Sequence, residues 1–406
     1  MGTPESVDVI VTGGGPAGMM AGLLFARAGV ETLVLEKHAD FLRDFRGDTV
    51  HPSTMEILCE LGLLERFLDR PHKRLDRAEI SWNGRKLMIG DLSHLKTPAP
   101  FIAMMPQWEF LDFLRNEAET YPEFSLALET PAAGIRARDG RYDAVLLEDG
   151  SAIEARKLVI MADGRDSLVR RQEILPLEDL GVPIDVFWFR VPKTGEDRAV
   201  RGAIHGNHMV VLIDRGDFWQ CAFVIGKGKA ETIRDRGIEA FRRDIVNAAP
   251  DLEGLEDALP NWDPVKLLSV SLDRLTLWHK PGLLAIGDAA HAMSPVGGIG
   301  INLAIQDAVA AANILAGPIS QLDNGDRFLA RVQKRRLYPA RVIQRGQQIA
   351  HENLLRPVIS GRTGEAEPPL LLKLLDRIPL LRRIPGRLIG LGIRREHVRA
   401  PSASAR

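Results

Sequence analysis

The 406-residue chain has two cysteines, Cys59 and Cys221, too few for a disulfide framework or a cysteine-rich zinc site. That usage fits a reducing, cytoplasmic setting. Charge of one sign is not in excess either: 53 Lys and Arg face 54 Asp and Glu, a formal net charge of −1. A nucleic-acid binder would normally carry a basic surplus, so nucleic acid is not an expected partner. No uninterrupted apolar run reaches the ~18 residues that cross a bilayer, and the N-terminus lacks the charged and apolar regions of a signal peptide. His51, His72, His94, His205, His208 and His279 show no metal-ligand spacing, so no metal is expected. With 45% hydrophobic and 26% charged residues, the composition is that of a globular protein long enough for two or more packed units.

The order of elements starts as strand, glycine turn, helix, strand. Residues 7–12 (VDVIVT) form a β-branched run suited to a buried parallel strand. Residues 16–28 read as a helix closed by Gly29, and residues 32–35 (TLVL) as a second strand ending in Glu36. A parallel βαβ crossover follows. Residues 78–82 and 86–89 look like short strands, and 107–120 carry apolar residues at helical spacing. Residues 142–147 and 153–160 flank Glu148-Asp149-Gly150, a hairpin turn feeding a buried strand. The sheet signal returns in 185–191, 209–213 and 218–225, the last two pairing across Arg215-Gly216-Asp217. Residues 282–286 are a buried strand, 300–315 an apolar helix, and beyond 326 the chain is helical and basic.

Gly13-Gly14-Gly15-Pro16-Ala17-Gly18 fits GxGxxG between a strand and a helix. Gly13 permits the tight turn, Gly15 lets backbone approach a pyrophosphate, and Gly18 lets the helix pack on the strand. Pro16 and Ala17 open a helix whose free N–H groups, from Ala17 onward, and positive end suit phosphate. Glu36, 18 residues past Gly18, can accept from both ribose hydroxyls. This points to a dinucleotide without separating FAD from NAD. A second run, Gly287-Asp288-Ala289-Ala290-His291 followed by residues 294–302 (SPVGGIGIN) and Asp307, separates them. An aspartate at a strand end can accept from a sugar-chain hydroxyl. The Pro-Gly loop offers a side-chain-poor bed for a flat ring, and the helix from Gly300 aims its amides where a reduced flavin carries negative charge. His291 reads as a buried, hydrogen-bonded residue of this motif rather than a catalyst.

Together with Ala162-Asp163-Gly164-Arg165-Asp166-Ser167-Leu168-Val169-Arg170, these motifs resemble the FAD-dependent aromatic hydroxylases, the para-hydroxybenzoate hydroxylase-like monooxygenases, from residue 7 to about 315. The resemblance implies an α/β fold: a Rossmann-like FAD-binding domain (1–73, 106–180 and 272–325), an inserted β-sheet substrate domain (74–105 and 181–271) and a C-terminal helical segment (326–406). It implies Gly13, Gly15 and Gly18 at the pyrophosphate, Glu36 at the adenosine ribose and Asp288 at the ribityl chain. Pro295, Gly298, Gly300, Ile301 and Asn302 would flank the isoalloxazine. Arg46 and Gln107 match family positions that contact FAD, and Asp163-Gly164 matches a motif that touches FAD and is implicated in NAD(P)H binding. NADPH or NADH would reduce FAD, oxygen would add to give a C4a-hydroperoxide, and its distal OH would pass to an aromatic or polycyclic carbon.

The one GxGxxG is taken by FAD, so the reductant is expected in a groove beside Asp163, Gly164 and Arg165. Phe187, Phe189 and Trp219, with Pro295, are candidate pocket walls; Phe187 and Phe189 share one strand face while Trp188 points to the other, and one face is core. The three tyrosines, Tyr121, Tyr142 and Tyr338, fall outside the expected substrate sheet, so no catalytic base is assigned. Rival functions are an isoprenoid double-bond reductase and a ubiquinone-biosynthesis-type hydroxylase at a membrane; a halogenase would need Trp-x-Trp-x-Ile-Pro, which is absent. The leucine- and arginine-rich stretch 369–399 fits docking over the FAD domain or a homodimer contact, with a peripheral membrane contact as the alternative.

Overall fold

The computed structural model describes residues 4–42, 49–193, 200–360 and 367–403. The strand Ser6–Thr12 lies between Ala152–Met161 and Thr32–Leu35, parallel to both, with Val9 opposite Leu158 on one side and Thr32 on the other. Phe124–Ala127 and Leu283–Ala285 extend the parallel array at its two sides. The hairpin of Arg141–Leu147 with Ala152–Met161 forms as the Asp149-Gly150 turn implies. Alternate residues serve opposite layers, as a doubly covered sheet requires. Val9 and Val11 pack among the helices Pro16–Arg27, Gln107–Ala118 and Gly300–Ser320. Ile10 packs on the other side with Trp278, Ala340 and Ile343 of the helix Leu329–Ala350.

A second sheet has seven strands, in the order Lys266–Leu268, Ile184–Pro192, Phe218–Gly226, His208–Asp214, Val200–His205, Arg77–Trp82 and Arg85–Asp91. Residues 77–91 therefore join a sheet built mainly from 184–226. One face of this sheet is covered by the helix Ile238–Ala248. The other carries Val186, Trp188, Ala222 and Val224 and closes against Ile102, Met104, Leu355, Leu391 and Val296. Both faces are apolar because both are covered.

Gly300–Ser320 belongs to the one helical segment among the described residues long and apolar enough to cross a membrane. It is mostly buried, as the central helix of the first unit packed on Pro16–Arg27. The helices Leu370–Arg377 and Pro379–Leu391 lie on the edge strand Arg85–Asp91, and residues 394–400 return to the first unit.

Candidate cofactor site

The glycine turn has the geometry its sequence demands. Gly13 sits at φ +94°, and its amide donates to the Leu35 carbonyl at 2.7 Å. A Cβ on Gly18 would fall 1.8 Å from the Gly13 carbonyl oxygen, so only glycine lets helix and strand approach this closely. At Gly15 a Cβ would meet nothing within 4 Å. That open space lies over a helix start with no side-chain cap and Pro16 in its first turn, the arrangement that presents free amides to a phosphate. Glu36 is buried beside it, one carboxylate oxygen accepting from the Gly14 amide at 3.0 Å and the other from the His38 amide at 3.1 Å.

The second and third motifs converge on this turn. Asp163 accepts from the Leu168 amide at 2.9 Å, while its other oxygen is buried without a partner. Burial pushes its carboxyl up, against the pull of the Ser167 hydroxyl and of that amide. An orphaned carboxylate oxygen beside an open Gly164 is what a ligand hydroxyl would satisfy. Arg165 donates through Nε to Asp288 Oδ2 and through Nη2 to the Met293 carbonyl, both at 3.2 Å. Arg170 donates to the carbonyls of Asp288 and Ala289 at 2.7 and 2.9 Å and pairs with Asp273 at 2.8 Å. Two arginines of one run thus hold the other run in place.

The loop 294–299 is fastened from behind. Gln347 donates to the carbonyls of Ser294 and Val296 and accepts from the Ser294 amide, and His351 hydrogen-bonds the Ser294 hydroxyl at 2.9 Å. The loop then enters Gly300–Ser320 without a side-chain cap, leaving its first amides for a ligand. Asn302 is buried, but its side chain is committed to protein. Its Oδ1 accepts from the His51 amide and the Thr54 hydroxyl at 2.9 and 2.7 Å, which leaves its backbone amide, and not its side-chain oxygen, to offer a ligand. The His51 ring is wholly buried with Nδ1 2.8 Å from the Ile389 carbonyl, and burial lowers its pKa to about 4.

Asp307 anchors the Gly287 turn. It accepts from the Gly287 amide at 3.1 Å, His291 Nε2 lies 2.6 Å away, and Arg336 Nε donates at 2.8 Å. Burial alone would raise this carboxyl, but the His291 ring and the Arg336 guanidinium hold it below the usual carboxylate range. Arg336 also meets Glu396 at 3.2 Å. Arg336, Gln347, His351 and Glu396 lie outside every motif, so no sequence pattern marks them.

Gln107 opens its helix after Pro106, and its side chain has no hydrogen-bond partner among the described residues. Arg46 lies outside the described residues. The pocket walls need correction. Phe187 and Phe189 are fully buried against Phe241, at 5.4 and 5.8 Å between ring centroids, and Trp219 joins the same core. Trp188, one residue away, is on the face that meets Val296 of the loop 294–299. Pro295 stays exposed on that loop.

An α/β turn–helix cradle for a dinucleotide, joined by a capless helix start and a second sheet over it, defines an FAD-dependent aromatic hydroxylase. Residues 6–346 match the family described as the FAD binding domain, and the chain belongs to that family. It is an FAD-dependent monooxygenase. It is 31% identical over 388 residues to 6-methylpretetramide 4-monooxygenase of Streptomyces rimosus, covering 94% of this chain and 91% of that one. It spans a smaller share of some longer relatives, 57% of pentachlorophenol 4-monooxygenase of Sphingobium chlorophenolicum at 27% identity over 76% of this chain. In fold it resembles OxyS anhydrotetracycline hydroxylase from Streptomyces rimosus, with a TM-score of 0.74 and 21% identity over 98% of this chain and 78% of that one.

Proposed function

We propose that this protein hydroxylates a polycyclic aromatic substrate with O2 and NADH or NADPH. The observation that carries this reading is the near end-to-end match to a monooxygenase whose named substrate is a methylpretetramide. The apolar sheet face of Val186, Trp188, Ala222 and Val224 supports it, since it meets Val296 of the flavin loop and suits a flat, apolar ring system. FAD, once bound, would supply the redox chemistry that links the nicotinamide to oxygen.

The protein's own residues bind, orient and exclude water. Gly13, Gly15, Pro16, Ala17 and Gly18 hold the pyrophosphate, Glu36 the adenosine ribose, Asp163 and Asp288 the sugar-chain hydroxyls, and Gln107 the ring edge. Pro295, Gly298, Gly300, Ile301 and Asn302 bed the ring by backbone. Asp163, Gly164 and Arg165 border the nicotinamide route, where Arg165 can offer Nη1 to a phosphate while its other nitrogens hold Asp288 and Met293. The eight-stranded and seven-stranded sheets support a cofactor unit of 1–73, 106–180 and 272–325 with a substrate unit of 74–105 and 181–271, and a small sheet of Thr49–Val50, Ile102–Met104 and Lys73–Leu75 ties the two together. The free thiols of Cys59 and Cys221 support a cytoplasmic location.

The test is turnover with a tetracyclic aromatic polyketide under labelled oxygen. Product carrying one oxygen atom from O2, with NAD(P)H consumed, is expected. A product two hydrogens heavier formed without oxygen would instead establish a double-bond reductase.

A further inference from the structure

The two C-terminal helices are apolar on both sides. Inward, Leu372 packs with Trp82, Leu87 and Ile204, and Gly386 and Gly390 back onto Asp91, Leu92 and Leu95. Outward, Leu370, Leu371, Leu380 and Ile384 are 72%, 65%, 65% and 66% exposed, and Leu374, Ile378 and Leu388 are exposed with them. Seven of the fifteen large hydrophobics exposed among the described residues fall within positions 370–388. The other eight are dispersed over the rest of the chain, where isolated exposed apolar residues are ordinary. Leu380, Ile384 and Leu388 recur every fourth residue, which puts them on one stripe.

The charge around this stripe has one sign. From Leu370 to Leu391 the sequence carries Lys373, Arg377, Arg382, Arg383 and Arg387 against Asp376 alone, in a chain otherwise balanced in charge. Arg382 is used internally, on the carbonyls of Leu375 and Asp376, and Lys373 pairs with Glu367. Arg377, Arg383 and Arg387 are exposed, and Arg383 and Arg387 form no ion pair among the described residues.

We propose that this face docks on an anionic lipid bilayer, with the two helices lying in the interface plane. Leu380, Ile384 and Leu388 enter the acyl boundary while Arg377, Arg383 and Arg387 meet lipid phosphates. Charge complementarity selects this occupant. A twofold contact with a second copy would lay the patch on itself and bring these arginines together. A neutral surface would leave them without counter-charge. The proposal goes beyond the reading of the reaction and does not depend on it.

The experiment is flotation of the FAD-loaded full-length protein with two vesicle types, phosphatidylcholine alone and phosphatidylcholine mixed with phosphatidylglycerol. Binding to the mixed vesicles is expected to be at least about tenfold stronger and to fall with added salt. Ile384→Glu and the pair Arg383→Glu with Arg387→Glu should each abolish flotation. Both alter exposed side chains, so flavin absorbance and NAD(P)H oxidation in solution should match the parent and certify the fold. The proposal is overturned if the protein ignores both vesicles, or binds them equally. It is also overturned if light scattering finds a dimer that Ile384→Glu converts to monomer.

Discussion

Arg165 and Asp288, 123 residues apart in sequence, meet as an ion pair with Nε 3.2 Å from Oδ2. One guanidinium therefore joins the motif at 163–170 to the motif at 287–302, and the expected ribityl ligand is oriented by the expected nicotinamide contact. The two side chains are 29% and 33% exposed, so the pair itself adds less than ~1 kcal/mol to folding stability. Its weight falls on the direction in which Asp288 points.

Asp288→Ala should weaken FAD binding by about 1.5–3 kcal/mol, the range of a charge-assisted hydrogen bond. Arg165→Ala should weaken it less and raise the Michaelis constant for NAD(P)H. Measured by flavin fluorescence titration, the double variant should lose less than the two single losses together. Strict additivity would show that Arg165 does not act on FAD through Asp288.

The flavin released by denaturation should be FAD, identified by chromatography against FMN, because the Gly13–Glu36 unit has no use without an adenylate. Gly18→Ala places a Cβ 1.8 Å from the Gly13 carbonyl and should yield protein with little or no bound flavin. Release of FMN, or full FAD content in Gly18→Ala, would contradict the assignment.

His51 makes stability depend on pH. Its folded pKa of about 4 lies below the ordinary 6.5, so the unfolded chain binds the extra proton first as pH falls. Its contribution is fully present above pH 6.5 and is lost progressively as pH drops toward 4. Between pH 7.5 and 5 the loss is ~2 kcal/mol. His51→Gln should flatten the urea-unfolding stability over that interval by this amount; an unchanged slope would show that His51 protonates as readily folded as unfolded.

Phe187 and Trp188 should separate stability from specificity. Phe187→Ala removes a ring from the closed core and should cost ~3–5 kcal/mol of stability, leaving the ranking of aromatic substrates intact. Trp188→Phe should change that ranking with a smaller stability loss. A melting curve and Michaelis constants for a substrate panel decide it, and the opposite pattern would return the pocket to the Phe187 face.

The legible parts of this protein are those set by local backbone chemistry. The turn at Gly13, the packing contact at Gly18, the position of Glu36 and the hairpin at Asp149-Gly150 each need particular residues at fixed offsets, and all stand where the sequence puts them. The strand Ile184–Pro192 was harder. Period-two alternation separates Phe187 and Phe189 from Trp188, yet both sets are apolar because both faces of the sheet are covered, and nothing local says which cover holds the site. The motif marks Asn302 as a flavin neighbour without saying that its side chain is spent on His51 and Thr54, about 250 positions away in sequence. The Asp307–Arg336–Glu396 network is likewise a product of tertiary folding, with no pattern of its own.

That network sets an order of events during synthesis. Asp307 fastens the Gly287 turn, and its partner Arg336 is buried with a second carboxylate from Glu396, 60 residues further on. At translation rates of ~5–20 residues per second, Glu396 follows Arg336 by roughly 3–12 s. For that interval all three motifs have been made while Arg336 still lacks its second carboxylate. The cofactor bed is therefore finished only when the returning segment 394–400 crosses the first domain, and a nascent chain halted before it carries the whole motif set on an unfinished floor.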